Sequence, residues 1–311
     1  MTTRAPAVAI GDWGTTRLRL WLLDADGQVM SERRSDDGLL SAQPDRFSSI
    51  LDRHLADMGA PAALPVILCG MVGSRQGWLE APYVDTPASL SDIFAGAVRI
   101  PGVSRDIRIV PGLAQRVTEA PDVMRGEETQ LAGAGQTLLS GRCIVCMPGT
   151  HSKWASVADG VVAGFQTFMT GELFSVLSAH SILKHTVGDT PAPVASDAPG
   201  FAAACTGALS DGGDVSTRLF RLRAATLLQG LGQVEAAAAL SGLLIGGEIA
   251  SARRTIAAGA ESVVLVASGA MRDLYEAALG LAGIVVEVVD ADAAVSAGLR
   301  AAARHHGMLK G

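Results

Sequence analysis

The first strong pattern in the chain is Ala7-Val8-Ala9-Ile10-Gly11-Asp12-Trp13-Gly14-Thr15-Thr16-Arg17, an apolar run that stops at an acidic residue and a glycine-threonine turn. Leucines occupy every second position over residues 18–22, so they share one face of a second strand. The segment Asp24-Ala25-Asp26-Gly27 is typical of a hairpin turn and leads into residues 28–35. We therefore predict a three-strand meander with a Gly-Thr turn between its first two strands.

The same pattern recurs in the second half of the chain. An apolar run over residues 143–147 ends in Pro148-Gly149-Thr150-His151-Ser152-Lys153. A strand-like stretch over 154–157, the turn Ala158-Asp159-Gly160 and a third run over 161–167 complete the copy. Two such copies predict two similar half-molecules with a cleft between them, and two Gly-Thr turns that face one cleft suit a phosphate chain.

Composition limits the class of protein. At 311 residues the chain is long for one core, and two domains are expected. The net charge of −6, without a long Lys/Arg cluster, argues against a nucleic-acid partner. No apolar run reaches about 18 residues, so we expect no membrane partner. Residues 1–6 lead directly into a strand, so we expect no targeting segment and a cytoplasmic protein.

The four cysteines are expected to be reduced thiols in the core. Cys143 and Cys146 form a C-x-x-C, but residues three apart in a strand point to opposite faces of the sheet. We therefore expect no redox or metal pair there.

Helices and strands alternate through the last third of the chain. Periodicity predicts helices over residues 215–229, 234–258, 271–281 and 291–304, and strands over 262–267 and 284–289. Together with the two meanders, this pattern indicates an α/β fold with mixed sheets. Residues 186–200, which are rich in Pro, Ala and Asp, are predicted to form an exposed loop.

The first turn carries a candidate metal and phosphate site. A carboxylate at Asp12, at the carboxyl end of a strand, can hold Mg²⁺ directly or through water. Gly14 lets the backbone approach a phosphate closely, and the turn adds hydroxyl groups and a cation from Thr15, Thr16 and Arg17. The alternative is a plain hairpin in which Asp12 caps its own turn.

The second turn offers backbone N–H groups, two hydroxyls and a cation within five residues: Gly149, Thr150, His151, Ser152 and Lys153. It is not a P-loop, because no G-x-x-x-x-G-K-[ST] is present, and no G-x-G-x-x-G follows a strand. His151 can act as a base, but we favour a role in shaping the loop or contacting phosphate.

Two further motifs carry candidate chemistry. In Met124-Arg125-Gly126-Glu127-Glu128, either Glu127 or Glu128 can be the general base for a substrate hydroxyl, and Arg125 can bind an anionic group. Alternatively, the two carboxylates only favour the start of a helix. Small side chains at Ser268-Gly269-Ala270 leave room for a flat base such as adenine, or simply form a tight strand-to-helix turn.

The combination resembles the actin, sugar-kinase and heat-shock-70 superfamily. Within it, the chain is similar to the 2-dehydro-3-deoxygalactonokinase family, and motifs that carry the similarity follow one another along nearly the whole chain. They include Asp12-Trp13-Gly14-Thr15-Thr16, Gly70-Met71-Val72-Gly73-Ser74, Val123-Met124-Arg125-Gly126-Glu127-Glu128, Met147-Pro148-Gly149-Thr150-His151-Ser152-Lys153 and Phe168-Met169-Thr170-Gly171-Glu172.

The resemblance implies two ribonuclease-H-like domains, placed at residues 1–121 and 122–311, with mixed sheets flanked by helices and an active-site cleft between them. It also implies Mg²⁺- and ATP-dependent phosphorylation of 2-dehydro-3-deoxy-D-galactonate at its 6-hydroxyl, in galactonate catabolism. The sugar acid is then expected to meet the substrate-binding residues Met71, Val72, Gly73, Ser74, Trp78 and Arg125.

Three alternatives stay open. The first is a kinase of another sugar or sugar acid, and the second is a non-catalytic ATP- or sugar-binding sensor on the same fold. The third is a phosphatase on this fold that hydrolyses phosphoanhydrides without a sugar acid. Neither the stereochemistry of the sugar nor the oligomeric state follows from the sequence, so a homodimer also stays open.

Overall fold

The computed structural model describes residues 4–43, 45–135, 138, 140–189, 193–210 and 214–310. The chain divides into two compact units. The first unit comprises Met1–Ser140, Ala158–Ala163 and Ala291–Gly311, and the second comprises Gly141–Val157 and Gly164–Asp290.

The first unit is built on a mixed sheet. Its strands in chain order are β1 (Pro6–Trp13), β2 (Leu18–Asp24), β3 (Val29–Ser35), β4 (Val66–Gly70), β5 (Val84–Asp85), β6 (Ala88–Ser89), β7 (Val98–Arg99), β8 (Ile107–Ile109), β9 (Leu113–Gln115) and β10 (Asp122–Met124). The main sheet has the order β3-β2-β1-β4-β8-β7, and a small sheet has the order β10-β9-β5. Strands β1, β2 and β3 are antiparallel, whereas β4 lies parallel to β1.

Among the described residues, five helices belong to this unit. They are α1 (Leu39–Ala42), α2 (Phe47–Asp57), α3 (Leu90–Ala95), α4 (Glu127–Gly133) and α11 (Ala291–His305), and a 3-10 turn covers Met71–Gly73. The core under the sheet is centred on aromatic contacts: the rings of Trp13 and Phe47 lie 5.4 Å apart. Phe47 also stacks on Trp78 at 6.1 Å, so α2 and the loop after β4 are anchored to one cluster.

The second unit repeats the arrangement. Its elements are β11 (Arg142–Met147), β12 (Ser152–Ala158), β13 (Val161–Phe168), α5 (Thr170–His180), α6 (Lys184–Val187), α7 (Pro199–Ser210), α8 (Val215–Gln229), α9 (Gln233–Arg254), β14 (Ser262–Val266), α10 (Gly269–Leu281) and β15 (Val285–Val289). Residues 161 and 162 at the start of β13 belong to the first unit, where they pair with β6.

The two units share one strand order, which confirms the repeated meander. The order is β3-β2-β1-β4-β8 in the first unit and β13-β12-β11-β14-β15 in the second. In each, tight turns join the antiparallel strands, while parallel strands follow after longer connections, as parallel pairing requires. The second hairpin has positive φ at both central residues, 49° at Asp159 and 75° at Gly160, as a two-residue turn needs.

The observed units differ from the predicted division at residue 121. Residues 122–140 lie in the first unit, and so does α11 from the end of the chain. Close helix packing explains this: a Cβ on Gly133 of α4 would lie 1.8 Å from the carbonyl oxygen of Ala294. Likewise, a Cβ on Gly298 of α11 would lie 2.0 Å from the carbonyl oxygen of Thr129. Only glycine permits this approach, and local periodicity does not reveal it.

Helix α9 is the core helix of the second unit. By length and a mean hydropathy of 1.3 it would suffice to cross a membrane, but 83% of its apolar window is buried inside the fold. Helix α7, which the sequence analysis did not predict, packs along it: a Cβ on Gly242 would lie 2.2 Å from the carbonyl oxygen of Phe201. The apolar composition of α9 therefore reflects burial between neighbouring elements.

The predicted loop over residues 186–200 is shorter in the structure. Helix α6 extends to Val187 and α7 begins at Pro199, while residues 190–192 of the predicted loop lie outside the described residues. The four cysteines are free, and all except Cys143 are fully buried. That placement agrees with the expected core thiols at Cys69, Cys146 and Cys205, whereas Cys143 is partly exposed.

Candidate active site

Asp12 lies at the carboxyl end of β1, as predicted, and lines a cavity of about 560 Å³ in the first unit. The lining is rich in charged side chains. Of the predicted residues, Gly14 and Arg17 also line it, whereas Thr15 and Thr16 are exposed outside it. The remaining lining residues, which sequence reasoning did not single out, are Leu18, Arg19, Arg34, Ser35, Asp36 and Asp292.

Arg19 is the cation that contacts the Asp12 carboxylate. Its Nη2 donates to Asp12 Oδ2 at 2.7 Å, and its Nη1 donates to Asp292 at the start of α11. Partial burial alone would raise the pKa of Asp292, but the hydrogen bond and charge of Arg19 hold it below its usual value. The sequence analysis named Arg17 as a cation for the phosphates, and Arg17 lines the same cavity. It did not name Arg19, which the alternation of the strand beside Asp12 could have indicated.

The first turn rests directly on Gly38. The carbonyl oxygens of Gly14 and Thr15 accept hydrogen bonds from Leu39 N and Leu40 N at the start of α1. A Cβ on Gly38 would lie 2.3 Å from the carbonyl carbon of Thr16, so only a glycine allows this contact. The backbone of the turn is therefore held by the element that follows the meander.

The second turn lies beside a mostly apolar cavity of about 550 Å³ in the second unit. Gly149 and Thr150 line it together with Ala270, so two predicted nucleotide motifs meet there. The other lining residues are Thr170, Gly171, Phe174, Pro193, Val194, Ser241, Leu244, Ile245, Met271 and Leu274. The apolar character of this lining suits a nucleobase.

Gly171 supports the second turn as Gly38 supports the first. A Cβ on Gly171 would lie 2.5 Å from the carbonyl oxygen of Gly149. The carbonyl oxygen of Thr150 accepts a hydrogen bond from Glu172 N at 3.0 Å, in the first turn of α5. In both units, therefore, a glycine near the start of a helix lets backbone N–H groups of that helix donate to carbonyl oxygens of the turn.

The remaining residues of the second turn have other contacts. His151 is exposed and pairs with Glu172. Ser152 is buried, with its hydroxyl 3.0 Å from Tyr275 Oη. Lys153 is also buried, and its Nζ donates to Thr167 Oγ1 at 2.9 Å. These contacts give Ser152 and Lys153 packing roles in strand β12.

The adenosine motif, residues 268–270, also combines a residue that lines the apolar cavity with residues that do not. Ala270 lines the apolar cavity, whereas Ser268 and Gly269 do not. The Ser268 hydroxyl instead donates to Asp290 Oδ2 at 2.8 Å, and Gly269 begins α10 with φ of 58°.

A buried carboxylate, Glu248 of α9, lies under the second turn. It accepts hydrogen bonds from Trp154 Nε1 at 2.8 Å, from Tyr275 Oη at 2.7 Å and from the Thr170 hydroxyl. Burial raises its pKa, and these hydrogen bonds counter the rise. Glu248 therefore joins α9 to β12, α5 and α10, and residues of α9, α5 and α10 line the apolar cavity.

The motif that carries the predicted base residues begins near Asp12, at the carboxyl end of β4. A Cβ on Gly70 would lie 3.1 Å from Asp12 Oδ1, and a Cβ on Gly126 would lie 3.5 Å from Gly70 Cα. Strands β1 and β4 are parallel, with Asp12 opposite Cys69, so their carboxyl ends meet at one edge of the sheet. The structure therefore brings the Asp12 motif and the Gly126 motif together within the first unit.

The structure distinguishes the two glutamates. Glu128 is fully buried and accepts hydrogen bonds from Gly126 N at 2.6 Å and from Thr129 Oγ1 at 2.9 Å. Burial, with the neighbouring charge of Glu127, raises the pKa of Glu128 to about 8. Glu127 is partly exposed, and its carboxylate accepts a hydrogen bond from Arg125 N at 3.1 Å. Glu127 is thus the accessible carboxylate.

Two contacts hold Arg125 in place, but some of its N–H donors have no hydrogen-bond partner among the described residues. Its Nη2 donates to the carbonyl oxygen of Ala81 at 2.8 Å, and its guanidinium lies 4.4 Å from the centre of the Tyr83 ring. Within the described part of the chain, its buried Nε and Nη1 have no hydrogen-bond partner. The buried hydroxyl of Ser74 likewise has none. Buried polar groups normally have partners, so these atoms indicate a site for an anionic ligand.

Of the other predicted substrate residues, Gly73 lies beside Arg125. A Cβ on Gly73 would lie 3.0 Å from Arg125 Nη1, and Ala81 N donates to the Gly73 carbonyl oxygen at 3.0 Å. The side chain of Val72 is fully buried in the core, and Met71 and Trp78 pack against the same cluster. Tyr83, which stacks on Arg125, is an addition that the sequence analysis did not include.

The metal prediction is compatible with the residues present. Among the described residues, no group of three His, Cys, Asp or Glu side chains could hold a metal ion. Mg²⁺, however, usually keeps several waters and binds through one or two carboxylates plus substrate phosphates. Asp12, a partly exposed carboxylate in a charged cavity, fits that mode of binding.

Comparisons with known proteins agree with the motifs. The family model for 2-keto-3-deoxy-galactonokinase matches residues 12–302. A Rhizobium meliloti protein named "Probable 2-dehydro-3-deoxygalactonokinase DgoK1" is 51% identical over 98% of each chain. The Escherichia coli 2-dehydro-3-deoxygalactonokinase is 35% identical over 97% of this chain and 98% of that one.

A solved structure extends the comparison to the fold. It is a crystal structure of a Sinorhizobium meliloti protein that bears the same enzyme name. It matches with a TM-score of 0.92 and 50% identity, over 96% of this chain and 98% of that chain. The α/β architecture predicted from the two meanders is therefore shared over nearly the whole length.

Proposed function

The chain belongs to the 2-keto-3-deoxy-galactonokinase family, and on that basis we propose that it is the ATP-dependent kinase of 2-dehydro-3-deoxy-D-galactonate. The reaction transfers the γ-phosphoryl group of ATP to the terminal 6-hydroxyl and serves galactonate catabolism. The observation that supports a sugar acid rather than a neutral sugar is Arg125, whose buried Nε and Nη1 lack partners among the described residues. A substrate carboxylate can accept a charged hydrogen bond from either of these atoms.

A coupled ADP-release assay tests this function. It uses Mg·ATP with 2-dehydro-3-deoxygalactonate, its gluconate epimer and a panel of neutral sugars. We expect turnover with the galactonate compound. Turnover only with a different sugar would change the proposed substrate but keep the kinase reaction. ATP binding without ADP release for any sugar would favour the sensor, and ADP release without an acceptor would favour a phosphatase.

We expect Arg125→Lys to raise KM for the sugar acid about a hundredfold and to leave KM for ATP within twofold. Lysine keeps the charge but lacks the planar fork that serves the Ala81 carbonyl oxygen and an anion at once. The loss of one well-formed charged hydrogen bond is worth about 2–3 kcal/mol. Steady-state kinetics with each substrate varied in turn measures both constants.

Arg116→Lys is the matched control for that substitution, because Arg116 is an exposed arginine paired with Asp85 in the same unit. Its kinetic constants should equal those of the wild type. If Arg125→Lys changed KM for ATP and KM for the sugar acid equally, the carboxylate role of Arg125 would be rejected.

Asp12 and the first turn are proposed to bind the metal and the phosphates, together with the second turn and the adenosine motif. The residues proposed for ATP are Gly14, Thr15, Thr16, Arg17, Gly149, Thr150, His151, Ser152, Lys153, Ser268, Gly269 and Ala270. Geometry supports Asp12, Gly14, Arg17, Gly149, Thr150 and Ala270 most directly, since these six line the two cavities. Mg²⁺ bound with the nucleotide supplies charge neutralisation for the phosphates.

Glu127 is the better-placed candidate for the general base. A base must reach the proton that it abstracts, and Glu128 is fully buried whereas Glu127 is partly exposed. In addition, a pKa of about 8 keeps Glu128 mostly protonated at neutral pH. When Glu128 is protonated, the hydrogen bond from Thr129 Oγ1 can reverse, so that the Glu128 O–H donates to Thr129 Oγ1. The NH₂ group of a glutamine can donate in the same way, while its carbonyl oxygen accepts from Gly126 N.

The same substitution at each glutamate can therefore show which of the two is the general base. We expect Glu127→Gln to lower kcat at least tenfold, because a carboxamide cannot accept the proton of the substrate hydroxyl. Glu128→Gln should keep kcat within about threefold at pH 7, because the carboxamide resembles the protonated acid. Measuring kcat at saturating substrates decides between them, and the reverse order of effects would make Glu128 the base.

The remaining assignments concern partners and location. The small molecules expected to bind are the sugar acid and ATP; nucleic acid and membrane are not expected partners. We propose a cytoplasmic enzyme, as the sequence analysis expects. A homodimer is compatible with the proposal, and light scattering on the purified protein would measure the oligomeric state.

A further inference from the structure

A row of charged side chains crosses the meander of the first unit. Asp12 on β1 is opposite Arg19 on β2, and Arg19 is opposite Arg34 on β3. Directly opposed residues on neighbouring strands share one face of the sheet, so the three side chains form a single cross-strand row. The row begins at the carboxylate proposed to bind the metal.

Asp292, which is close to the C-terminal end of the chain, contacts both arginines of this row. It lies in the first turn of α11, and its Oδ1 accepts from Arg19 Nη1. Its Oδ2 accepts from Arg34 Nη2 at 3.0 Å. One carboxylate therefore bridges the two arginines, and Arg19 is shared between Asp292 and Asp12. Within the described residues, these two aspartates are the ion-pair partners of Arg19.

We propose that Asp292 is a positioning residue for magnesium binding, which acts by restraining Arg19. This inference rests on the proposed metal role of Asp12. Arg19 and a cation compete for the same Asp12 carboxylate. A second carboxylate on Arg19 holds its guanidinium and offsets part of its positive charge, so that Arg19 competes less strongly with the cation for Asp12. This effect favours Mg²⁺ at Asp12.

Burial makes the arrangement effective. The side chains of Arg19 and Asp12 are only 18% and 21% exposed, and that of Asp292 is 35% exposed. Charges at such depth are less screened than those at the surface. The position of Asp292 also depends on α11 packing against α4, where Gly298 and Gly133 allow close approach. The C-terminal helix is thereby coupled to the metal carboxylate.

The test is calorimetric titration of ADP into the wild-type chain and into Asp292→Asn at a series of free Mg²⁺ concentrations. We expect Asp292→Asn to need about three- to tenfold more free Mg²⁺ for half of the magnesium-dependent gain in ADP affinity. Asp36→Asn is the matched control. It removes the same charge from the same cavity, but Asp36 is exposed and is not an ion-pair partner of Arg19. Its Mg²⁺ requirement should change less than twofold.

Asp292→Glu keeps the charge and should return the Mg²⁺ requirement to within twofold of the wild type, which covers the case in which the asparagine variant folds poorly. A lower melting temperature of Asp292→Asn with an unchanged Mg²⁺ requirement would overturn the inference, because Asp292 would then only stabilise the fold. An equal shift in Asp36→Asn would also overturn it. Wild-type ADP binding that does not respond to Mg²⁺ would overturn both this inference and the metal role of Asp12.

Discussion

Asp12→Asn is expected to lower kcat at least a thousandfold while leaving the protein folded. Phosphoryl transfer depends on positioning and on neutralising charge at the phosphates, and Asp12 is the proposed metal carboxylate. Asparagine keeps an oxygen that can accept from Arg19 Nη2, so the hydrogen bond of 2.7 Å survives while the charge is lost. The partly exposed ion pair is then expected to contribute at most about 1 kcal/mol to folding.

The measurement combines steady-state ADP release at saturating substrates with thermal unfolding followed by circular dichroism. Asp26→Asn, an exposed aspartate in the first hairpin turn, is the control for loss of one negative charge in the same meander. It should keep wild-type kcat. Turnover of Asp12→Asn within tenfold of the wild type would contradict the metal role of this carboxylate.

Glu248→Ala is expected to lower the free energy of unfolding by about 3–5 kcal/mol. The substitution leaves Trp154 Nε1, Tyr275 Oη and the Thr170 hydroxyl without their shared acceptor in a buried site. It also leaves a cavity where the side chain was. Urea unfolding gives the free energy directly, and Tyr275 and Trp154 provide intrinsic fluorescence for the measurement.

Glu248→Gln distinguishes the contribution of the hydrogen bonds to stability from that of the charge. Its carbonyl oxygen can accept from Trp154, which can only donate, while its NH₂ group donates to the hydroxyls of Tyr275 and Thr170. We expect this variant to lose only about 1 kcal/mol. A loss for Glu248→Ala no greater than that for Glu248→Gln would show that the network contributes little to stability.

Sequence reasoning predicted the parts of the site that depend on local pattern. The apolar run before Asp12 and the turn after it are adjacent in the chain, so strand periodicity places the carboxylate at a strand end. Arg125 and the two glutamates stand within four residues of one another, at the start of a helix. The division of labour between Glu127 and Glu128 was not predicted, because it depends on which of the two side chains the fold buries.

The close contacts that support both turns escaped sequence analysis. Gly38 and Gly171 are ordinary glycines by composition and periodicity. Their importance lies in backbone atoms of another segment, at 2.3 Å and 2.5 Å from where a Cβ would stand. Such distances depend on how a helix packs on a turn, and no local pattern encodes them.

By itself, the sequence determined the repeated meander, the two Gly-Thr turns, the family and the carboxylate at the end of the first strand. Only the tertiary structure showed that Asp292 pairs with Arg19, 273 residues away, and that Glu248 accepts hydrogen bonds from Trp154 and Thr170. It also showed that α11 belongs to the first unit. The physical reason is that periodicity and turn chemistry act over a few residues. Pairing between distant charges depends instead on strand order and helix packing, which are settled by the whole buried core.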